Sequence, residues 1–233
     1  MIDKIKTKIK KFWENKTKRY ILIGILALIL LLIIIIIIVV CVKKSNSSKE
    51  KPDLEGICSK SYDIQVYKEE KIISSLKECG YDEKSNLFNF ALSAIIRHNL
   101  YRACHNAKPL LPNCDLMKIS QDYSNKMIYS HSGNDYNDEW LGENIFEITN
   151  NNLNGQEIVD NWYKESKEYN FNKKRPKDNG KITSHFTQLV WKNSKDIGIG
   201  YTCKLNNCIV IANYFPGGNI DGEYSDNVED RKD

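Results

Sequence analysis

The sequence predicts a mixed α and β domain held behind one membrane-spanning helix. Three observations carry this expectation: a charge-free apolar run near the N-terminus, three later stretches with apolar residues at helical spacing, and two strand-like runs joined by a turn.

The apolar run comes first. From Tyr20 to Val42 no charged residue occurs, and Ile21 to Val42 is almost wholly Ile, Leu and Val. A helix of about 20 residues spans a hydrocarbon core about 30 Å thick, so residues 20–42 are expected to form a transmembrane signal anchor. A cleaved signal peptide fits less well, because the run exceeds a usual h-region and no A-x-A-like exit follows Val42.

Residues 1–19 form a basic tail, with eight Lys and Arg against Asp3 and Glu14, a net +6. Within it Ile2, Ile5, Ile9 and Phe12 recur at helical spacing among lysines, as in an interfacial helix on anionic lipid. Beyond the span, Lys43, Lys44, Lys49 and Lys51 are diluted by Glu50, Asp53 and Glu55. This bias predicts a single-pass protein with its N-terminus in the cytosol and the remainder extracellular or lumenal. Since the whole chain is +4, the part after the tail carries −2, which removes the electrostatic support for nucleic-acid binding.

Residues 43–84 are expected to be linker and stalk: polar and aperiodic at first, weakly patterned from Ile57. Leu87, Phe90, Ala91, Ala94, Ile95 and His98 then share one helical face, which puts His98 on the buried stripe. Leu116, Ile119, Tyr123 and Met127 mark a second helix ending near His131. Asn154-Gly155 opens a third, whose face holds Ile158, Trp162, Glu165 and Tyr169. A carboxylate on an apolar stripe is costly unless paired, so Glu165 needs a partner. Residues 170–184 read as a mobile loop. Ile197–Cys203 and Ile209–Tyr214 have strand composition, with Asn206-Asn207 as the turn between them.

Six of the seven cysteines follow the span, on the side where disulfides persist. Cys203 and Cys208 flank the hairpin end, where facing Cβ atoms come within bridging distance. Cys104 with Cys114 and Cys58 with Cys79 are the remaining expectations, chosen among the fifteen connectivities that six cysteines allow. Cys41, at the end of the span, is expected to be an inert thiol, with palmitoylation as the alternative.

The sequence has no G-x-S-x-G, H-E-x-x-H, Gly-rich phosphate loop or C-x-x-C. What remains is His98, Glu143, Glu165 and His185, four polar groups on separate segments beside aromatic or aliphatic residues. Two neutral imidazoles, His98 and His185, can supply half of an open Zn²⁺ or other divalent-metal site, with water completing it and the carboxylates orienting or ligating. The same four groups can equally form a buried structural network.

The residues also carry a resemblance. His98-Asn99-Leu100-Tyr101-Arg102, Gly142-Glu143-Asn144-Ile145, Trp162-Tyr163-Lys164-Glu165, the run His185 to Trp191 and the run Asn213 to Asn219 stand in order across residues 85–227. This segment resembles the CAP superfamily (SCP domain): cysteine-rich secretory, venom allergen-like and group-one pathogenesis-related proteins. The resemblance implies a three-layer α-β-α sandwich for residues 85–227; residues 228–233 are expected to be a short C-terminal tail. The resemblance also implies a cleft tetrad at His98, Glu143, Glu165 and His185. Ser184 and Ala212 depart from the family signatures, the latter removing a customary cysteine.

The function expected from this is a binding module for lipid, sterol or a protein partner. Two alternatives stand beside it. One is a metal- or serine-dependent hydrolase with Glu143 or Glu165 as base. The other is an adhesion or immune-modulating surface protein whose tetrad is purely structural.

Overall fold

Strand-forming residues near the C-terminus set the layering. In the run Ile209-Val210-Ile211-Ala212-Asn213-Tyr214 every residue is buried, so both faces of the strand are covered. Ile209 and Ile211 pack with Tyr123 and Ile145, whereas Val210, Ala212 and Tyr214 join the larger core around Phe186, Trp162 and Ile95. The structure, a computed structural model, describes residues 5–6, 20, 58, 60–149, 154–176 and 180–232. The chain divides into two units, Met1–Glu55 and Gly56–Asp233, and all elements named below belong to the second. The expected basic tail, the anchor beyond Tyr20 and the linker to residue 57 lie outside the described residues, except for positions 5 and 6. Among the described residues no helix is long and apolar enough to cross a membrane.

In chain order the elements are α1 (Lys60–Glu78), α2 (Asn86–Cys104), β1 (Leu111–Pro112), α3 (Cys114–Ser124), β2 (Asp135–Tyr136), β3 (Glu139–Trp140) and β4 (Gly142–Thr149). There follow α4 (Gly155–Lys164) with a 3-10 turn (Glu165–Glu168), β5 (Tyr169–Asn170), β6 (Arg175–Pro176), α5 (Ser184–Val190), β7 (Asp196–Lys204), β8 (Asn207–Phe215) and α6 (Tyr224–Asn227). The central sheet has the order β1-β7-β8-β4. β1 runs parallel to β7, and the other pairs are antiparallel. Helix α3 lies on one face, while α2, α4 and α5 pack on each other over the opposite face.

Local chemistry starts α2, α3 and α4. Ser85 Oγ accepts from the Phe88 amide at 3.0 Å, Asn113 from Asp115 and Leu116, and Asn154 from Gln156, so each caps orphan donors of the first turn. Helix α3 approaches β7 closely because Gly198 and Gly200 face it. A Cβ at those positions would stand 2.1 Å from Leu116 and 2.4 Å from Gln121 backbone atoms.

Several expectations need correction. The second helix stops at Ser124, short of Met127, which takes a left-handed φ of 57°. The β7–β8 turn is Leu205-Asn206, with φ of 48° and 68°, one residue earlier than expected. That register sets Cys203 against Cys208, and the two are bonded. The loop expected over 170–184 contains the small β5–β6 ribbon, Asn170 facing Arg175.

The segment expected as a stalk up to residue 84 contains α1, which packs on α2 with Ile72 and Leu76 buried. The expected pairs Cys58–Cys79 and Cys104–Cys114 do not form; Cys58 bonds Cys104 and Cys79 bonds Cys114. Helix α1 separates Cys58 from Cys79 by roughly 30 Å at about 1.5 Å per residue, far beyond disulfide reach. Residues 228–232 do not hang free of the domain either. Val228 is fully buried, and the Lys232 amide donates to the Cys104 carbonyl at 2.9 Å.

Candidate functional site

Glu165 finds the partner its position demands. It begins the turn after α4, and one carboxylate oxygen accepts from His185 Nδ1 at 2.7 Å. The other accepts from the backbone amides of His185 and Phe186 at 3.0 and 3.2 Å. The carboxylate thus fixes both the imidazole and the first turn of α5 that bears it.

Glu143, on β4, does the same for another histidine. Its Oε1 accepts from His131 Nδ1 at 3.0 Å and from the Ser132 amide at 2.8 Å, and its Oε2 from Asn213 Nδ2 at 3.2 Å. Asn213 is held in turn by Ser120 Oγ at 2.9 Å. His131 and His185 line one cleft of about 340 Å³ together with Ser132, Gly133, Trp140, Leu141, Glu143, Ser184 and Asn219. In each pair the carboxylate takes Nδ1, leaving Nε2 as the ring nitrogen for a ligand, the arrangement that orients metal-bound imidazoles in general.

His98 is not in this cleft, contrary to the sequence expectation. Its side chain is fully buried, with Nδ1 against the Ala94 carbonyl and Nε2 against the Tyr214 hydroxyl, both at 2.8 Å. A carbonyl can only accept, so Nδ1 carries the proton and Nε2 accepts from Tyr214. Tyr214 then accepts from Asn144 Nδ2 at 3.1 Å, and the same amide donates to the His185 carbonyl at 3.0 Å. His98 is therefore the inner end of a buried strut that reaches the back of the cleft. Burial pushes its imidazole down to about 4, which keeps it neutral, and raises the Tyr214 hydroxyl. The buried Trp162 ring lies 5.9 Å from His98 and 6.3 Å from His185, centroid to centroid, and walls one from the other. With both ring nitrogens engaged, His98 has none left for a metal.

Sequence reasoning missed His131. It sits in a polar loop after α3, and a loop position that keeps a ring nitrogen accessible is where a ligand histidine is best placed. The usable signal was Ser130-His131-Ser132-Gly133 twelve residues ahead of Glu143. Among the described residues no group of three or more His, Cys, Asp or Glu is arranged to hold a metal ion. A metal here would have two protein ligands.

Behind the site, Arg102 makes the frame. Its fully buried guanidinium donates to the carbonyls of Lys108, Leu189, Trp191 and Ser194 at 2.7 to 3.0 Å, tying α2 to the end of α5 and the entry to β7. Burial lowers its pKa to about 9, so it stays charged at neutral pH. Gln188 closes the floor, accepting from the Gly218 amide at 2.8 Å.

The profile of the cysteine-rich secretory protein family, CAP, matches residues 95–214. The chain is 34% identical over 152 residues to the human Golgi-associated plant pathogenesis-related protein 1, covering 62% of this chain and 96% of that protein. It is 32% identical over 127 residues to venom allergen 5 of Vespula pensylvanica, covering 51% of this chain and 62% of that one. Among solved structures, Na-ASP-1 shares the fold with a TM-score of 0.51 at 20% identity; the match covers 63% of this chain and 43% of Na-ASP-1. Half the chain lies within the profile and nearly the whole human relative is matched: the chain belongs to the cysteine-rich secretory protein (CAP) family.

Proposed function

We propose that this CAP domain is a binding module, displayed outside the cell or in a secretory lumen by a membrane anchor at residues 20–42, whose cleft takes an amphipathic, lipid-like ligand with a divalent cation at His131 and His185. One observation carries the reading: two imidazoles from different elements line the same cleft, each with Nδ1 held by a carboxylate. Glu143 and Glu165 are the orienting groups in this reading, and His98 has no direct part. A bound cation would supply a fixed positive charge for an anionic headgroup. Trp140 in the lining offers exposed apolar surface for the rest of the ligand, and the exposed Ile182 and Ile220 lie close in sequence to the lining residues Ser184 and Asn219. The anchor rests on the charge-free run and the flanking lysines of the sequence. Among the described residues neither cleft imidazole is hydrogen-bonded to a serine hydroxyl, so the serine-dependent form of the hydrolase reading gains no geometric support.

Calorimetric titration of the full chain with Zn²⁺ tests the proposal. Wild type should bind one equivalent, and His131→Ala and His185→Ala should each weaken binding at least about tenfold. Equal Zn²⁺ affinity in all three proteins would refute the metal-assisted reading.

A further inference from the structure

The wall of the cleft opposite α5 has a charge pattern that its histidines do not explain. Residues 127–163 contain no Lys or Arg, in a chain with 34 of them. Part of that stretch is the β2–β3 ribbon, which turns tightly through Asn137 and Asp138, both left-handed with φ of 54° and 60°. The ribbon brings Trp140 to the cleft and leaves it 52% exposed.

The indole is backed on one side: a Cβ on Gly217 would stand 2.6 Å from Trp140 Cε3. A flat, rigidly supported aromatic surface therefore borders the space that holds His131 and His185. Asp135 pairs directly across the ribbon from Trp140, which places the two side chains on the same face about 5 Å apart at Cβ. Asp135 is exposed and forms no ion pair among the described residues. Lys126, which lines a neighbouring depression with Asp135, lies over the Tyr123 ring, 5.2 Å from its centroid.

An aromatic face with a carboxylate beside it attracts a large, weakly hydrated cation such as a quaternary ammonium, even though Lys126 shares the depression that Asp135 lines. The imidazole pair, with or without a divalent ion, favours the opposite sign. We propose that Trp140 and Asp135 form a quaternary-ammonium subsite, so that the cleft selects ligands with a choline-phosphate headgroup. The phosphate half of this inference rests on the function proposed above; the ammonium half stands without it.

The test uses the full chain in maltoside micelles and compares choline with its uncharged isostere 3,3-dimethyl-1-butanol. Choline should bind at least about fivefold more tightly. Trp140→Ala should abolish that preference and Trp140→Phe should keep part of it, while Asp135→Asn should weaken choline about threefold and reduce its salt sensitivity. Equal affinity for the two isosteres, or choline binding untouched by Trp140→Ala, would overturn the subsite. With Zn²⁺ present, phosphocholine should bind more tightly than choline, and His131→Ala should erase that gain. Phosphate bound without any choline preference would sink the subsite and leave the cleft reading intact. A choline preference without any phosphate gain would keep the subsite and remove the phosphate half. Competition by phosphatidylcholine vesicles but not phosphatidylglycerol vesicles identifies a lipid as the source, and competition by soluble phosphocholine alone identifies a free metabolite; either supports the subsite.

Discussion

His98 and His131 are the same side chain in two settings, the interior beneath α2 and the mouth of the cleft. In the interior both ring nitrogens are consumed by Ala94 and Tyr214, and the imidazole acts as a spacer. At the mouth a carboxylate takes one nitrogen and the other is left for chemistry. The difference shows that a histidine's role follows from how many of its nitrogens the fold consumes. An apolar helical stripe consumes both.

The sharpest way to break this contrast is to remove the frame that both regions share. Arg102→Met would strip four carbonyls of their donor in the core, and we expect a loss of about 3–5 kcal/mol, read as a fall in the denaturant midpoint with the metal site lost alongside. Next come the orienting carboxylates. Glu165→Gln and Glu143→Gln should each lower Zn²⁺ affinity about 10- to 100-fold. Their unfolding midpoints should move far less than that of Arg102→Met. The converse variant is Tyr214→Phe, which removes the donor to His98 Nε2. It should cost about 1–3 kcal/mol of stability while changing Zn²⁺ affinity less than either carboxylate variant; a larger effect on metal than on stability would show that the two regions are not separable.

The gentlest probe is pH. Burial holds His98 at about 4 in the folded protein, against 6.5 for an ordinary imidazole, and His105 is shifted down for the same reason. Between those values the unfolded chain binds the additional proton, so stability should fall as pH drops from 6.5 toward 4. Glu229, held down to about 2 by Lys192, adds a further loss below the ordinary carboxylate range. Denaturant melts at pH 7, 5.5 and 4 should show the decline, and His98→Gln should flatten its upper part.

The contrast also explains what could be read from the chain beforehand. Glu165 was legible because a carboxylate on an expected apolar helical stripe demands a partner, and His185 supplies it although the helix ends at Lys164 and Glu165 falls in the turn beyond. Glu143 was legible from the short motif around it, but its partner was not. His131 lies in a loop whose composition gives no period, so its short spacing ahead of Glu143 was the one hint of the pairing that the fold makes. The two C-terminal strands were plain from their β-branched runs, although the turn fell one residue early, with Leu205 in a left-handed conformation; the short strands β1, β2, β3, β5 and β6 carry no such run. The disulfide pattern was opaque for a physical reason: pairing depends on where α1 docks, and its buried Ile72 and Leu76 are a weak signal of that docking. The membrane anchor rests on sequence argument alone.

The clasp between Cys58 and Cys104 bears on how the domain would take mechanical load. The chain enters the described domain at Cys58 and is joined there by sulfur to the last residue of α2, and the C-terminal segment returns to the same spot through the Lys232 amide. Tension arriving from the N-terminal side would pass through that bridge into α2. Helix α1, enclosed between that bridge and the one joining Cys79 to Cys114, would stay out of the force path and could not be peeled away like an ordinary N-terminal helix.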